Sequence, residues 1–193
     1  MQKSRLVMLM LVMVVAFSGV MQSCVNITIP DADKVHYTSA NIWFEHPDKI
    51  QSVNHHQGAI LPVGTQVTIE SVSPRAIHFI DQRGTRYRLI LMRKYTGPEF
   101  TIEDLFKQYF TLTDPMGKTG EFMKLSEMER GYVKSGRIRV GMSKGAVLMA
   151  YGYPPSHMTP STDADVWKYW DHKFRARLVH FRNNRVEDIE KDL

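Results

Sequence analysis

Apolar and polar residues alternate through residues 66–70, where Val67 and Ile69 stand between Gln66, Thr68 and Glu70. A period of two is the mark of a half-buried strand. Residues 76–80 and 85–92 flank Asp81-Gln82-Arg83-Gly84, and Gly84 can take the positive φ that a tight turn needs, so the pair reads as a hairpin. In its second arm Tyr87, Leu89 and Leu91 share one face, and Arg86 and Arg88 share the other. Ile42-Trp43-Phe44 is a further short strand, and Leu61-Pro62-Val63-Gly64-Thr65 reads as a turn. Several short strands within residues 39–97 predict a small β-rich unit, an SH3-like barrel or a rolled sheet.

The period changes after Gly97-Pro98. Thr101 and Asp104 form a variant capping box, with Phe100 and Leu105 placed as a hydrophobic staple. They predict a helix over 102–110 that buries Leu105, Phe106 and Tyr109. Ser126 and Glu129 form a second box, opening a helix that runs to about Lys134 and is closed by Gly136. Ser143 is placed to cap a third, short helix with Val147, Leu148 and Tyr151 on one face. Gly152 is expected in a left-handed conformation at its end, and Pro154-Pro155 forbids continuation.

Three strands follow: residues 166–170, a long strand to Phe181, and residues 186–189 after a turn at Asn183-Asn184. In the first, Trp167 and Tyr169 fall on one face, Lys168 and Trp170 on the other. In the second, Val179 and Phe181 share a face with Arg177, and Leu178 shares the opposite one with His180. The expected class is therefore α+β: the small β unit, then residues 98–193 as a helix pair packed on a three-stranded antiparallel sheet.

Residues 1–23 are set apart as a secretory leader. Lys3 and Arg5 precede an apolar run, residues 6–17, that suits an h-region and is short for a membrane span. Ser23-Cys24 follows, and Cys24 is the only cysteine in the chain. This arrangement resembles a bacterial lipobox, which implies acylation of the Cys24 thiol, palmitate-type chains included, and cleavage before it. Met21 and Gln22 depart from the usual lipobox residues. The other reading is an uncleaved signal anchor with an incidental thiol. A single cysteine excludes a disulfide within the chain and any cysteine-rich metal site. Residues 24–38 show little periodicity and read as a tether. Without Lys3 and Arg5, the 23 remaining basic and 20 acidic residues leave a net charge of +3. That mild excess suits anionic lipid head groups better than nucleic acid, which calls for a basic stripe.

The ordered set Val140-Gly141-Met142-Ser143, Val147, Tyr151-Gly152-Tyr153-Pro154, Trp167-Lys168-Tyr169, Val179-His180-Phe181 and Val186-Glu187-Asp188-Ile189 resembles the SmpA/OmlA (BamE-like) family of outer-membrane lipoproteins. It covers the last quarter to third of the chain. The resemblance implies a helix pair on a three-stranded sheet, attachment to the outer membrane facing the periplasm, and partners in the β-barrel assembly machine. Two features depart from the family pattern. Gly145 lies in the first helical turn, where glycine costs ~1 kcal/mol. The loop 156–165 is long and carries His157-Met158-Thr159-Pro160-Ser161.

Candidate chemistry is sparse. Neither a Gly-x-Ser-x-Gly elbow nor a phosphate-binding loop is present. Asp163, Asp165, Asp171 and His172 surround the 166–170 strand, where a carboxylate and a histidine could imitate acid/base machinery; a polar strand end is the plainer reading. His55-His56, with His36, His46 and His78, invites a metal reading, although adjacent histidines on a strand point to opposite faces. No cofactor or metal is implied. Trp170, left on the outer face of its strand, is the candidate partner-binding residue, together with His157 from the neighbouring loop. The expected function is a non-enzymatic envelope adaptor or scaffold. The alternative is a periplasmic ligand-binding or enzyme-inhibitor module.

Overall fold

The computed structural model describes residues 27–29, 31–53, 55–172 and 175–191. The leader and Cys24 lie outside these. Over the described residues the fold is mixed α+β, with one strongly curled sheet, three helices and a separate C-terminal sheet.

The first sheet draws on β1 (Val35–Thr38), β3 (Ile50–Gln51), β5 (Gln66–Ser73), β6 (Ala76–Asp81), β7 (Arg86–Ile90) and β8 (Phe110–Thr111), counted along a chain in which β2 (Ile42–Phe44) and β4 (Ala59–Leu61) pair separately. Its order is β3-β7-β6-β5-β1-β8, antiparallel except where β3 joins β7. The alternation seen in the sequence sets which face is buried. Val67, Ile69, Ile77, Phe79, Tyr87 and Leu89 all turn into one core. Phe79 stacks on Tyr87 with ring centroids 5.1 Å apart. The β6–β7 turn is held by Asp81, whose carboxylate accepts from the Arg83 and Thr85 amides at 2.9 Å each.

Two expectations are corrected here. The stretch 24–38, read as a tether, is built into the first unit from Ile27 onward. The Ile27 amide donates to Val72 at 2.7 Å, Ile29 is buried in the core, and β1 pairs with β5. The helix expected to open the second unit belongs to the first. This is α1 (Ile102–Tyr109), which starts at the capping box: the Thr101 hydroxyl accepts from the Asp104 amide, and the Asp104 carboxylate accepts from the Thr101 amide. Its apolar face, Ile102, Leu105, Phe106 and Tyr109, packs into the first core. The chain then pairs back on β1, Thr38 opposite Phe110. A cap sets where a helix begins; it carries no information about which core the helix covers.

The second core lies under α2 (Glu127–Lys134) and α3 (Lys144–Tyr151), which pack on a meander of β9 (Val166–His172), β10 (Arg175–Arg182) and β11 (Arg185–Lys191) in the order β11-β10-β9. Trp167, Tyr169, Val179 and Phe181 face the helices, as the alternation requires. Asn183 and Asn184 turn the second hairpin at φ 50° and 59°, a pair of positive values that asparagine tolerates better than most residues.

Asn41 and Gly136 are among the residues that tie the two units together. Asn41, 1% exposed, donates its amide to the carbonyls of Val133 at 2.8 Å and Ala150 at 3.0 Å, and accepts from the Val63 amide at 2.9 Å. It thereby satisfies the Ala150 carbonyl in the last turn of α3 and gives the Val133 carbonyl at the end of α2 a second donor beside the Gly136 amide at 3.1 Å. Gly136, at φ 60°, closes α2 where any Cβ would meet Ile60 at 2.5 Å and Trp43 at 2.8 Å. The β2–β4 ribbon reaches α2 because that position lacks a side chain.

Candidate functional site: a cleft at the junction of the two units

Trp170 is half-buried on the outer face of β9, opposite the fully buried Trp167 and Tyr169. It forms one wall of a cleft of about 670 Å³ whose other walls come from the first unit: Glu45, Gln51, Val53, His55, Gln57, Met92 and Tyr95. His172, two residues along the same strand face, completes the lining. His157 stands behind Tyr95, ring centroids 5.4 Å apart, with its Nδ1 buried and without a hydrogen-bond partner. Trp170 and His157 thus meet in one neighbourhood through a tyrosine that neither sequence pattern pointed to. Tyr95 and Met92 left no signal in the sequence, and His55 stood out only as one of a histidine pair, because their role in the cleft exists only once the first unit is laid against β9.

The cleft is braced by His56. Its amide donates to the Trp170 carbonyl at 3.3 Å, and its ring nitrogens lie 2.8 Å from the Tyr151 carbonyl and 3.2 Å from that of Trp170. The ring stacks on Tyr151 at 3.8 Å and meets Trp43 and Tyr169 edge-on. Burial lowers its pKa to about 4, against the opposing pull of the two carbonyls. The ring is therefore neutral at pH 7 and carries one N–H; the shorter contact, to Tyr151, is the place for it. Burial also lowers the pKa of His55, which the nearby Glu45 carboxylate opposes. At neutral pH the cleft offers aromatic and aliphatic surface, imidazole and amide hydrogen-bonding groups, and one carboxylate.

Asp171 and His172 do not form an acid/base pair. Successive strand residues face opposite ways, so Asp171 is buried beneath the sheet while His172 lies in the cleft. The Asp171 carboxylate accepts from Arg177 at 3.2 Å and pairs with Arg175 at 3.3 Å, which marks it as a structural counter-ion. Asp163 and Asp165 sit before β9, at its far end, where Asp163 accepts from Ser161 and Asp165 lies 3.8 Å from Lys144. Of the histidines, His36 is buried against Phe106, with its Nδ1 2.9 Å from the Lys34 carbonyl. Among the described residues, no three His, Cys, Asp or Glu side chains converge as metal ligands. None of the described helices is long and apolar enough to cross a membrane.

Comparison with protein-family models, with curated proteins and with solved structures finds no match to this chain.

Proposed function

We propose that this chain is a bacterial envelope lipoprotein, anchored through Cys24 to the outer membrane and facing the periplasm. It acts as a non-enzymatic adaptor or scaffold, in β-barrel protein assembly or envelope integrity. The observation that carries the adaptor reading is the junctional cleft. It presents Trp170 and Tyr95 from different units of the fold on one concave surface, with His157 behind them. Large aromatics held in a half-buried setting are the residue type in which interface energy concentrates. The SmpA/OmlA resemblance supports the choice of partner system, and the helix pair on a three-stranded sheet agrees with what that resemblance implies.

A photo-crosslinking amino acid at position 170 should capture envelope proteins in intact cells, and the same probe at Arg83, on the remote β6–β7 turn, should not. With the probe moved to Gln57 on the facing wall, Trp170→Ala should keep its melting temperature yet weaken capture, because truncating such an anchor costs about 2 kcal/mol, roughly thirtyfold in affinity. His172→Gln should behave as wild type. If His172→Gln abolishes function while capture persists, the cleft does chemistry and the adaptor reading fails.

A cleft of about 670 Å³ also falls in the range of roughly 300–1,000 Å³ common for small-molecule sites. That size favours the ligand-binding module as second reading. It would be recognised by a small molecule co-purifying with wild type and lost from Trp170→Ala, with no protein captured at position 170.

A further inference from the structure

Ile27 is already fixed to the fold, its amide donating to the Val72 carbonyl at 2.7 Å, and Ile29 is 7% exposed in the first core. Only Val25 and Asn26 separate it from Cys24. An extended chain spans ~3.5 Å per residue, so the Cys24 backbone lies within about 10 Å of Ile27. An acyl chain on Cys24 therefore leaves the body no room to stand off the bilayer. The end of the sheet where the chain enters must lie against the head groups.

That end has a definite composition. β5 runs to Ser73, Pro74 and Arg75 turn the chain, and β6 returns. The Leu91 amide donates to the Arg75 carbonyl at 2.8 Å, which brings the end of β7 and the turn Arg93–Tyr95 to the same place. Arg75, Arg93 and Lys94 are all exposed there. Glu99 is the one acidic residue in the segments 73–76 and 91–99, and the entering segment adds Asp31, paired with Lys34 at 2.7 Å, and Asp33. The opposite end of the same strands is the Asp81–Gly84 turn.

We propose that this sheet end, with Arg75, Arg93 and Lys94, is a docking surface for anionic phospholipid. The inference rests on the lipid-anchor reading above. Each cation brought to an anionic surface contributes roughly fivefold to partitioning. Met92 and Tyr95 belong both to this end and to the cleft lining, so docking sets the mouth of the cleft beside the membrane.

The test uses the acylated protein, extracted and reconstituted in vesicles containing phosphatidylglycerol. Single cysteines are introduced as Pro74→Cys at the docking end or Gln82→Cys at the far turn. With Cys24 acylated, the introduced cysteine is the one free thiol. A membrane-impermeant maleimide should label position 74 roughly tenfold more slowly than position 82 in vesicles, and at equal rates in detergent micelles. Arg75→Glu with Lys94→Glu, or vesicles of phosphatidylcholine alone, should bring the two rates together. Equal labelling in anionic vesicles, with acylated Cys24 confirmed by mass spectrometry, overturns the docking surface and leaves the anchor standing. Protection of position 74 that persists through charge reversal and in neutral lipid overturns the role of anionic head groups. An unacylated Cys24 in the mass spectrum removes the anchor itself, and the proposal falls with it.

Discussion

Asn41 shows how much of this fold can depend on one polar side chain. Both of its amide hydrogens and its oxygen are used, each on a main-chain group of a different segment. Asn41→Ala would leave the buried Val63 N–H and the Ala150 carbonyl without partners, and the Val133 carbonyl with the Gly136 amide but not the Asn41 amide. The expected loss is on the order of 3 kcal/mol, since each buried unsatisfied polar group costs ~1–3 kcal/mol. Urea denaturation would measure it; a loss under about 1 kcal/mol would mean that water replaces the amide. Gly152 is a second such residue. It has positive φ, as anticipated, but with φ 77° and ψ −174° it is extended, not left-handed helical. That region is accessible essentially to glycine alone. Gly152→Val should therefore lower the melting temperature strongly. Gly145→Ala should leave it unchanged or raise it, because Gly145 is exposed, has open space where a Cβ would lie and sits in the first turn of α3. The reverse order would refute the assignment.

At the scale of elements, the helix starts are locked to one another. The Glu129 carboxylate accepts from the Ser126 amide at 2.9 Å and hydroxyl at 2.8 Å, which completes the α2 capping box. Its other oxygen accepts from the Ser143 amide at 2.8 Å, at the N-cap of α3. One buried carboxylate thus holds two helix N-termini, where amides are otherwise unpaired and the helix dipoles favour negative charge. Burial pushes its pKa up, but the hydrogen bonds from Ser143 and Ser126 outweigh it and hold the value at about 2. The folded state then binds the proton more weakly than the unfolded one. The stabilisation is complete above pH 4.5 and is lost as pH falls toward about 2. Glu129→Gln should remove about 3 kcal/mol at neutral pH, and less as the pH approaches 2, because one of its amide hydrogens would face a backbone N–H. A variant whose deficit is constant over that acid window would refute the coupling.

At the scale of the molecule, His56 is the contact most exposed to pH. It joins the first unit to α3 and β9 at once. With a folded pKa of about 4 against an ordinary 6.5, the unfolded chain binds a proton between those values and the folded chain does not. Stability from this group is therefore complete above 6.5 and declines as pH falls to about 4, by up to about 3 kcal/mol. His56→Gln keeps a donor for the Tyr151 carbonyl and removes the titration. Denaturation across that window should show a shallower loss for the variant than for wild type; parallel curves would mean that burial of the ring is incomplete. The same contact braces the wall of the cleft, so capture through position 170 should weaken over the same range.

Local order was legible in the sequence. The alternation at Val67 and Ile69, and again at Trp167 and Tyr169, named the buried faces correctly. Thr101 with Asp104, Ser126 with Glu129, and Ser143 placed three helix starts, and each cap forms as expected. These signals act over two to four residues, through pleating, helical pitch and the reach of a short side chain. What they could not contain was the choice of partner. That α1 closes the first core, that Ile27 and β1 belong to a sheet and not a tether, and that Asp171 serves two arginines were decided in three dimensions. So was the cleft. Trp170 could be placed on an outer face, but the residues opposite it come from a segment held by contacts such as His56 to Trp170, 114 positions apart. The bond from Asn41 to Ala150, 109 positions apart, is of the same kind. Such pairings arise when two amphipathic surfaces bury each other, and burial is not directional: an apolar face records that it must be covered, not by what.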